Sequence, residues 1–292
     1  MLLLITTGFP SPESRAPSPD PVTRRAVILA RGLGTRMRST DAAAVLTDAQ
    51  HRAADAGHKA MMPIAGRPFL DFVLSAAADA GLDRIAIVVA PDHGELRHHY
   101  EVTSPPARVR VDFVVQAEPR GTADAVLAAE RWIGDDSFLV MNGDNLYPVR
   151  DLSSLSRLRE PGLLGFDPED LVRSGNVPAD RVGAFALVEH DAGGHLTRIV
   201  EKPSPEDVTR LGPAARVSMN CWRFDSRIFD ACRAVTPSSR GELELPAAVA
   251  LAISDAGVRF RVLPATGPVL DLSRRADAAD LSHRLAATEP RP

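Results

Sequence analysis

The chain has 292 residues, 45% of them hydrophobic and 25% charged, the composition of a folded globular protein, which excludes disorder throughout. Its net charge of −4 leaves no basic surplus for nucleic acid or an acidic membrane surface. The longest apolar runs, such as residues 85–90, fall far short of the roughly 18 to 20 residues that span a bilayer. The apolar opening Met1-Leu2-Leu3-Leu4-Ile5 lacks the basic flank and the length of a secretory signal. Cys221 and Cys232 are the only cysteines, too few for a disulfide framework or a four-thiolate zinc site. A cytoplasmic protein with two buried thiols is the expectation.

Residues 10–23 are rich in Pro and Ser and carry no apolar periodicity, so residues 1–24 read as a disordered tail ahead of a single domain over 25–292. Strand and helix signatures then alternate: a strand over 26–30, a helix over 70–80, a strand over 85–90, a helix over 94–100, a strand over 109–115, a helix over 122–132 and a strand over 138–141. This order predicts an α/β fold with a Rossmann-like, mixed, mostly parallel sheet covered by helices on both faces. Strands over 182–189 and 196–200, joined across Asp191-Ala192-Gly193-Gly194, predict a small antiparallel insert. A strand over 260–263, the segment Val269-Leu270-Asp271 and a helix over 274–287 close the chain. No hexapeptide or longer repeat is present, so no β-helix domain is expected.

The first strand runs into Arg31-Gly32-Leu33-Gly34-Thr35-Arg36-Met37, a glycine-rich turn at a strand's C-terminal end. Glycine lets backbone N–H groups approach an anion, and this end of an open α/β sheet is where ligands bind. Met37 stands where a dinucleotide fingerprint needs Gly or Ala, and no GxxxxGK[ST] is present, so neither a nicotinamide dehydrogenase nor a P-loop protein is indicated. Arg36 is placed to add a bidentate guanidinium to a polyphosphate. Composition singles out two further cations. Lysine plus arginine is 34, yet only Lys59 and Lys202 are lysines. A point charge on a flexible stem is not interchangeable with a planar fork, so both survivors are site candidates.

Gly32-x-Gly34-Thr35-Arg36 followed by Lys59-x-x-x-Pro63-Ile64-x-Gly66-Arg67-Pro68 resembles the opening signature of the sugar-1-phosphate nucleotidylyltransferases. The likeness continues in order through Gln116-x-x-Pro119-x-Gly121-Thr122-Ala123, Gly143-Asp144-Asn145, Gly183, Glu201-Lys202-Pro203, Ser218-Met219-Asn220 and Val269-Leu270-Asp271, over about residues 25–285. The resemblance implies a short-form, Mg²⁺-dependent enzyme that joins a nucleoside triphosphate to a sugar 1-phosphate and releases pyrophosphate. Arg36, Lys59 and Lys202 would be its catalytic cations, Lys59 on the triphosphate and Lys202 on the sugar phosphate. Gly32, Gly34, Thr35, Gln116, Gly121 and Thr122 would bind the nucleotide, with Gln116 on the base. Gly183, Glu201, Ser218 and Asn220 would bind the sugar, and Asp144 and Asp271 would hold Mg²⁺, which takes one or two carboxylates and completes its shell with phosphate and water. A homo-oligomer is compatible with this reading.

The sequence departs from the family at Asn220, where a small residue is expected, and after Asp271, where Leu272-Ser273 replaces the usual Gly-Thr. These departures keep a cyclitol or modified sugar 1-phosphate open, and the motif hints for the base cancel between thymidylyl and adenylyl branches. A helix N-terminal role is the structural alternative for Asp271. His93, His98 and His99 read as a solvated helix face, because no carboxylate partner stands at metal spacing. The insert 39–58 reads as a short helix with a hinge at Gly57, a lid that would bring Thr47, Asp48 and Gln50 near the triphosphate. A non-catalytic nucleotide-sugar-binding regulator is the alternative function.

Overall fold

The computed structural model describes residues 22–32, 34–39 and 44–292; residues 1–21 of the tail expected over 1–24, Leu33 of the glycine turn and residues 40–43 of the insert lie outside the described residues. Thr23 belongs to the folded body and not to the tail. It is 2% exposed, its N–H donates to the Ser156 carbonyl at 2.8 Å, and its hydroxyl meets Ser137 and Arg223.

Strand β1 (Arg25–Leu29) is an unbroken apolar run because both of its faces are covered. Ala26, Val27 and Ile28 are fully buried. A separate hairpin of β2 (Pro63–Ile64) and β3 (Arg67–Pro68) follows. β1 then pairs in parallel with β4 (Arg84–Val89) on one side, which pairs with β5 (Arg110–Val115), and with β6 (Phe138–Asn142) on the other. Alternation along the strand sends Val27 to one face and Ala26 and Ile28 to the other, into two separate apolar cores. One core includes Met37, Phe69 and Leu70. The other stacks Phe138 on Phe229 and Trp222 on Phe224. Each such side chain taken out of water stabilises the fold by about 1.5 to 3 kcal/mol.

Past β6, a two-residue strand β7 (Asn145–Leu146) lies apart from the main sheet. β8 (Gly162–Phe166), β9 (Ala186–His190), β10 (Leu196–Val200) and the nine-residue β11 (Arg216–Phe224) extend the main sheet, with β11 antiparallel to β6, β8 and β9 each antiparallel to β11, and β10 antiparallel to β9. β12 (Arg261–Ala265) joins the far edge beside β8, and β13 (Leu270–Asp271) pairs with β7. The hairpin of β9 and β10 is the expected insert, but it begins at Ala186. Val182 instead ends a short helix, Ala179–Val182, because Pro178 sits just ahead of that helix's first residue and starts a turn there. β11 is the strand on which the antiparallel half depends, since it pairs with β6, β8 and β9.

Candidate active site

A cleft of about 450 Å³ opens at the C-terminal ends of the parallel strands, the position that open α/β sheets use for ligands. Leu29, Ala30, Arg31, Gly32 and Thr35 from the end of β1, His93 after β4, Gln116 after β5 and Asn142, Gly143 and Asp144 from β6 line it. Gly121, Thr122, Lys59 and Asn220 close it. The cleft thus gathers Gly32, Thr35, Lys59, Gln116, Gly121, Thr122, Asp144 and Asn220 into one site. Arg36 is exposed and stands outside this lining, as do Gly183, Glu201, Lys202, Ser218 and Asp271.

Two glycines are required by their surroundings. Gly34 caps the helix Thr35–Arg38 at φ 62, and a Cβ there would sit 2.5 Å from the Gly57 carbonyl oxygen. Gly121 has φ 122, and a Cβ there would collide with the Leu243 backbone. The reason is a backbone splice: Leu243 N–H donates to the Arg120 carbonyl at 2.7 Å, and Ala123 N–H donates to the Leu243 carbonyl at 2.9 Å. The splice carries Glu242 into the cleft wall. Gln116 is 4% exposed. Its Nε2 donates to the Gly121 carbonyl at 3.0 Å and to Asp124 Oδ2 at 2.8 Å. Both partners only accept, so the amide orientation is fixed and Oε1 is the atom left for a ligand.

Lys59 Nζ donates to Asp144 Oδ2 at 2.8 Å, both side chains about one-quarter exposed or less. Asp144 follows the apolar run Leu139-Val140-Met141, so strand pairing fixes its backbone at the sheet's end. Asp271, paired through β13 with Asn145, lies next to Asp144 but is 2% exposed. Its Oδ1 accepts from Asn145 Nδ2 at 2.9 Å and from the Ser273 hydroxyl at 3.1 Å, and its Oδ2 accepts from Arg181. Burial first, and then the negative charge of Asp144, push its carboxyl above the usual range, against the pull of Arg181. Asp271 sits in a strand and not at a helix N-terminus. The capping carboxylate of the last helix, Arg275–Arg284, is Asp277, which accepts from the Ser273 and Arg274 N–H groups.

Across the cleft, β11 breaks register between Ser218 and Trp222, with Asn220 at φ 56. Such a bulge re-aims a side chain, and Asn220 lines the cleft. Tyr147 holds the bulge by donating its hydroxyl to the Met219 carbonyl at 2.6 Å. Ser218 is 4% exposed and faces the Asn220 N–H at 3.4 Å from below. Lys202 takes φ 48, a strained value for a non-glycine residue of the kind concentrated at functional sites. Glu201 is open to solvent at its surface, yet protein packs around its carboxyl. That desolvation first, and the charge of Glu244 next, raise its pKa. Gly183 is exposed at φ −66, and a Cβ there would meet nothing. Gly183 thus lies ahead of β9, which starts only at Ala186.

Two further expectations are corrected. The helix Asp48–Ala56, capped by Thr47 and Gly57, is fastened to the last helix and not laid over the cleft. Gln50 donates to the Pro63 carbonyl at 2.9 Å and to Ser282 at 3.3 Å, and Arg275 pairs with Asp55 at 2.5 Å. Thr47, Asp48 and Gln50 do not line the cleft, whereas Gly57, His58 and Lys59 do. His93 does not belong to a solvated helix face, since it lines the cleft beside His58, ring centroids 5.7 Å apart. Burial first, and then His58, lower its pKa. Sequence reasoning also missed Glu242, Arg181 and Tyr147. The segment Arg240-Gly241-Glu242-Leu243-Glu244 held a usable signal in its glycine and alternating carboxylates; Arg181 held none. The thiols of Cys221 and Cys232 are buried as expected, and burial pushes Cys232 up to about 12.

The profile of the family described as nucleotidyl transferase matches residues 25–264. A UTP–glucose-1-phosphate uridylyltransferase of Haloferax volcanii is 28% identical, covering 89% of this chain and 96% of the relative. A glucose-1-phosphate thymidylyltransferase of Streptomyces antibioticus is 29% identical, over 91% of this chain and 68% of the relative. The solved structure of a UDP-glucose pyrophosphorylase complexed with UDP-glucose shares the fold, with a TM-score of 0.68 at 18% identity over 91% of this chain and 100% of that one. The chain belongs to the nucleotidyl transferase family, in its sugar-1-phosphate nucleotidyltransferase group.

Proposed function

We propose that the chain transfers a nucleotidyl group from a nucleoside triphosphate to the 1-phosphate of a sugar or sugar-like cyclitol. A phosphate oxygen of the acceptor attacks the α-phosphorus, the bond from that phosphorus to the bridging oxygen breaks in line, and pyrophosphate leaves with the electron pair. No protein nucleophile is needed, so the chain's work is positioning and charge neutralisation. The observation that carries this reading is the Lys59–Asp144 pair in a cleft walled by the glycine turn on one side and the β11 bulge on the other.

In this reading the turn around Gly32 and Thr35 lies along the triphosphate, Lys59 neutralises its charge, and Gln116 Oε1 accepts a hydrogen bond from the base. Asn220 and Glu201 hold sugar hydroxyls, and Lys202 holds the sugar phosphate. Arg36, outside the cleft lining, reaches a phosphate only once a ligand extends past Thr35.

Mg²⁺ fits the donor set: Asp144 keeps Oδ1 open in the cleft while Lys59 takes Oδ2, and Asp271 keeps one lone pair on Oδ2. When bound, Mg²⁺ supplies Lewis-acid stabilisation of the α-phosphate oxygens. The relatives are named for UTP and for thymidylyl transfer to glucose 1-phosphate, so a pyrimidine triphosphate with glucose 1-phosphate leads the panel. Pyrophosphate release, measured for each of four triphosphates against several sugar and cyclitol 1-phosphates, tests the proposal. Release that requires both substrates supports it, and none with any pair would leave the non-catalytic alternative.

A further inference from the structure

Asp271 and Asp144 each already hold a cation from the chain itself. Lys59 sits on Asp144, and Arg181, 5% exposed, sits on Asp271. Arg181 is no incidental neighbour. Its second nitrogen, Nη1, donates to Asp277 Oδ1 at 3.1 Å, so the planar fork spans two carboxylates as a lysine could not. Asp277 is in turn occupied by the N–H groups of Ser273 and Arg274 at the start of the last helix. Asn176 fixes the strand beneath, donating to the Asp271 carbonyl at 2.9 Å and accepting from its N–H at 2.7 Å. Segment 176–181 therefore both clamps β13 and delivers the guanidinium. A carboxylate offers about four lone-pair positions, and at Asp271 Asn145, Ser273 and Arg181 occupy three.

We infer that Arg181 is a built-in counter-ion that neutralises Asp271 before substrate arrives, so that a free divalent cation binds weakly and enters only together with the triphosphate. The inference rests on Asp144 and Asp271 forming the Mg²⁺ site of the proposed reaction. Its physical basis is charge matching. Lys59 and Arg181 offset two of the three carboxylates Asp144, Asp271 and Asp277, and the Ser273 and Arg274 N–H groups occupy Asp277, so a bare dication meets little free negative charge to offset its dehydration. A triphosphate supplies the missing negative charge. Arg181 is in this sense a positioning residue, since it acts through Asp271.

The test uses Mn²⁺ alone, with no triphosphate or sugar phosphate, its free concentration read by electron paramagnetic resonance. The full-length chain is compared with Arg181→Met, Arg181→Lys and Asp271→Asn. Arg181→Met should tighten Mn²⁺ binding by about tenfold or more, because the freed carboxylate gains a vacant oxygen. Arg181→Lys should stay within about threefold of the parent. Asp271→Asn should change the parent's affinity by less than about twofold, and this decides the matter should Arg181→Met not fold, because Asp277 still pairs with Arg181 there. Equal affinities of parent and Arg181→Met, or a tenfold loss in Asp271→Asn, would overturn the inference. Because no nucleotide is present, either result stands apart from the outcome of the pyrophosphate assay.

Discussion

Lys59 Nζ and Asp144 Oδ2 meet at 2.8 Å although 85 residues separate them in sequence. One residue comes from the turn after the helix Asp48–Ala56 and the other from the end of β6, so the contact exists only when the glycine turn, the insert and the sheet are all in place. Asp144→Asn leaves Lys59 without its anionic partner and a metal with a weaker ligand. Turnover should fall by about 10² to 10³, with the Mg²⁺ requirement moved to higher concentration. Lys59→Arg should raise the KM for the triphosphate and leave that for the sugar phosphate nearly unchanged. Steady-state kinetics with each substrate varied separately checks both.

Gln116 and Asp124 make a second separable unit. Asp124→Ala removes one of the two acceptors that hold Nε2, so the amide can rotate and present either atom to the base. The KM for the preferred triphosphate should rise about threefold to tenfold, discrimination among triphosphates should narrow, and the sugar-phosphate KM should hold. Arg120 also loses its ion-pair partner, at 2.5 Å, but it is largely exposed and contributes little. An unchanged preference among the four triphosphates would show that Asp124 does not set the orientation.

Tyr147→Phe removes the hydroxyl that donates to the Met219 carbonyl. A buried acceptor left without a partner costs about 1 to 3 kcal/mol, and the bulge that aims Asn220 loses its support. Denaturant unfolding should show the stability loss. The sugar-phosphate KM should rise without a matching change for the triphosphate.

His93 gives the pH dependence of stability a definite sign. Burial and His58 lower its folded-state pKa, so folding favours the neutral ring and the unfolded chain binds the proton more readily. This contribution to stability is complete above the ordinary histidine value of about 6.5 and is lost as the pH falls below it. Arg31 works in the same direction and Asp92 against it. His93→Gln should therefore lose less Tm than the parent between pH 7.5 and pH 5.5. Parallel losses would place the acid sensitivity elsewhere.

What could be read in the sequence was local. β1 and its glycine turn are a continuous apolar run and a pair of glycines, and both signals arise within a dozen residues. The two lysines stood out by rarity, and Lys59 proved to sit inside the cleft. Arg181 gave no such signal, because its role comes from burial between Asp271 and Asp277, some 90 residues further along. The strand expected from residue 182 begins later, because Pro178 starts a helical turn there and delays β9 to Ala186. The β11 bulge was equally hidden, since register is a property of three neighbouring strands and not of β11 alone.

The central claim, transfer of a nucleotidyl group between two phosphates, is tested most directly by ³¹P nuclear magnetic resonance of one reaction. The sample holds the protein, Mg²⁺, the preferred triphosphate and its sugar 1-phosphate. The triphosphate and sugar-phosphate resonances should decline together, while pyrophosphate and a sugar-linked pyrophosphodiester grow in equal amounts. Inorganic phosphate or nucleoside monophosphate in place of the diester, or a spectrum that does not change, would contradict it.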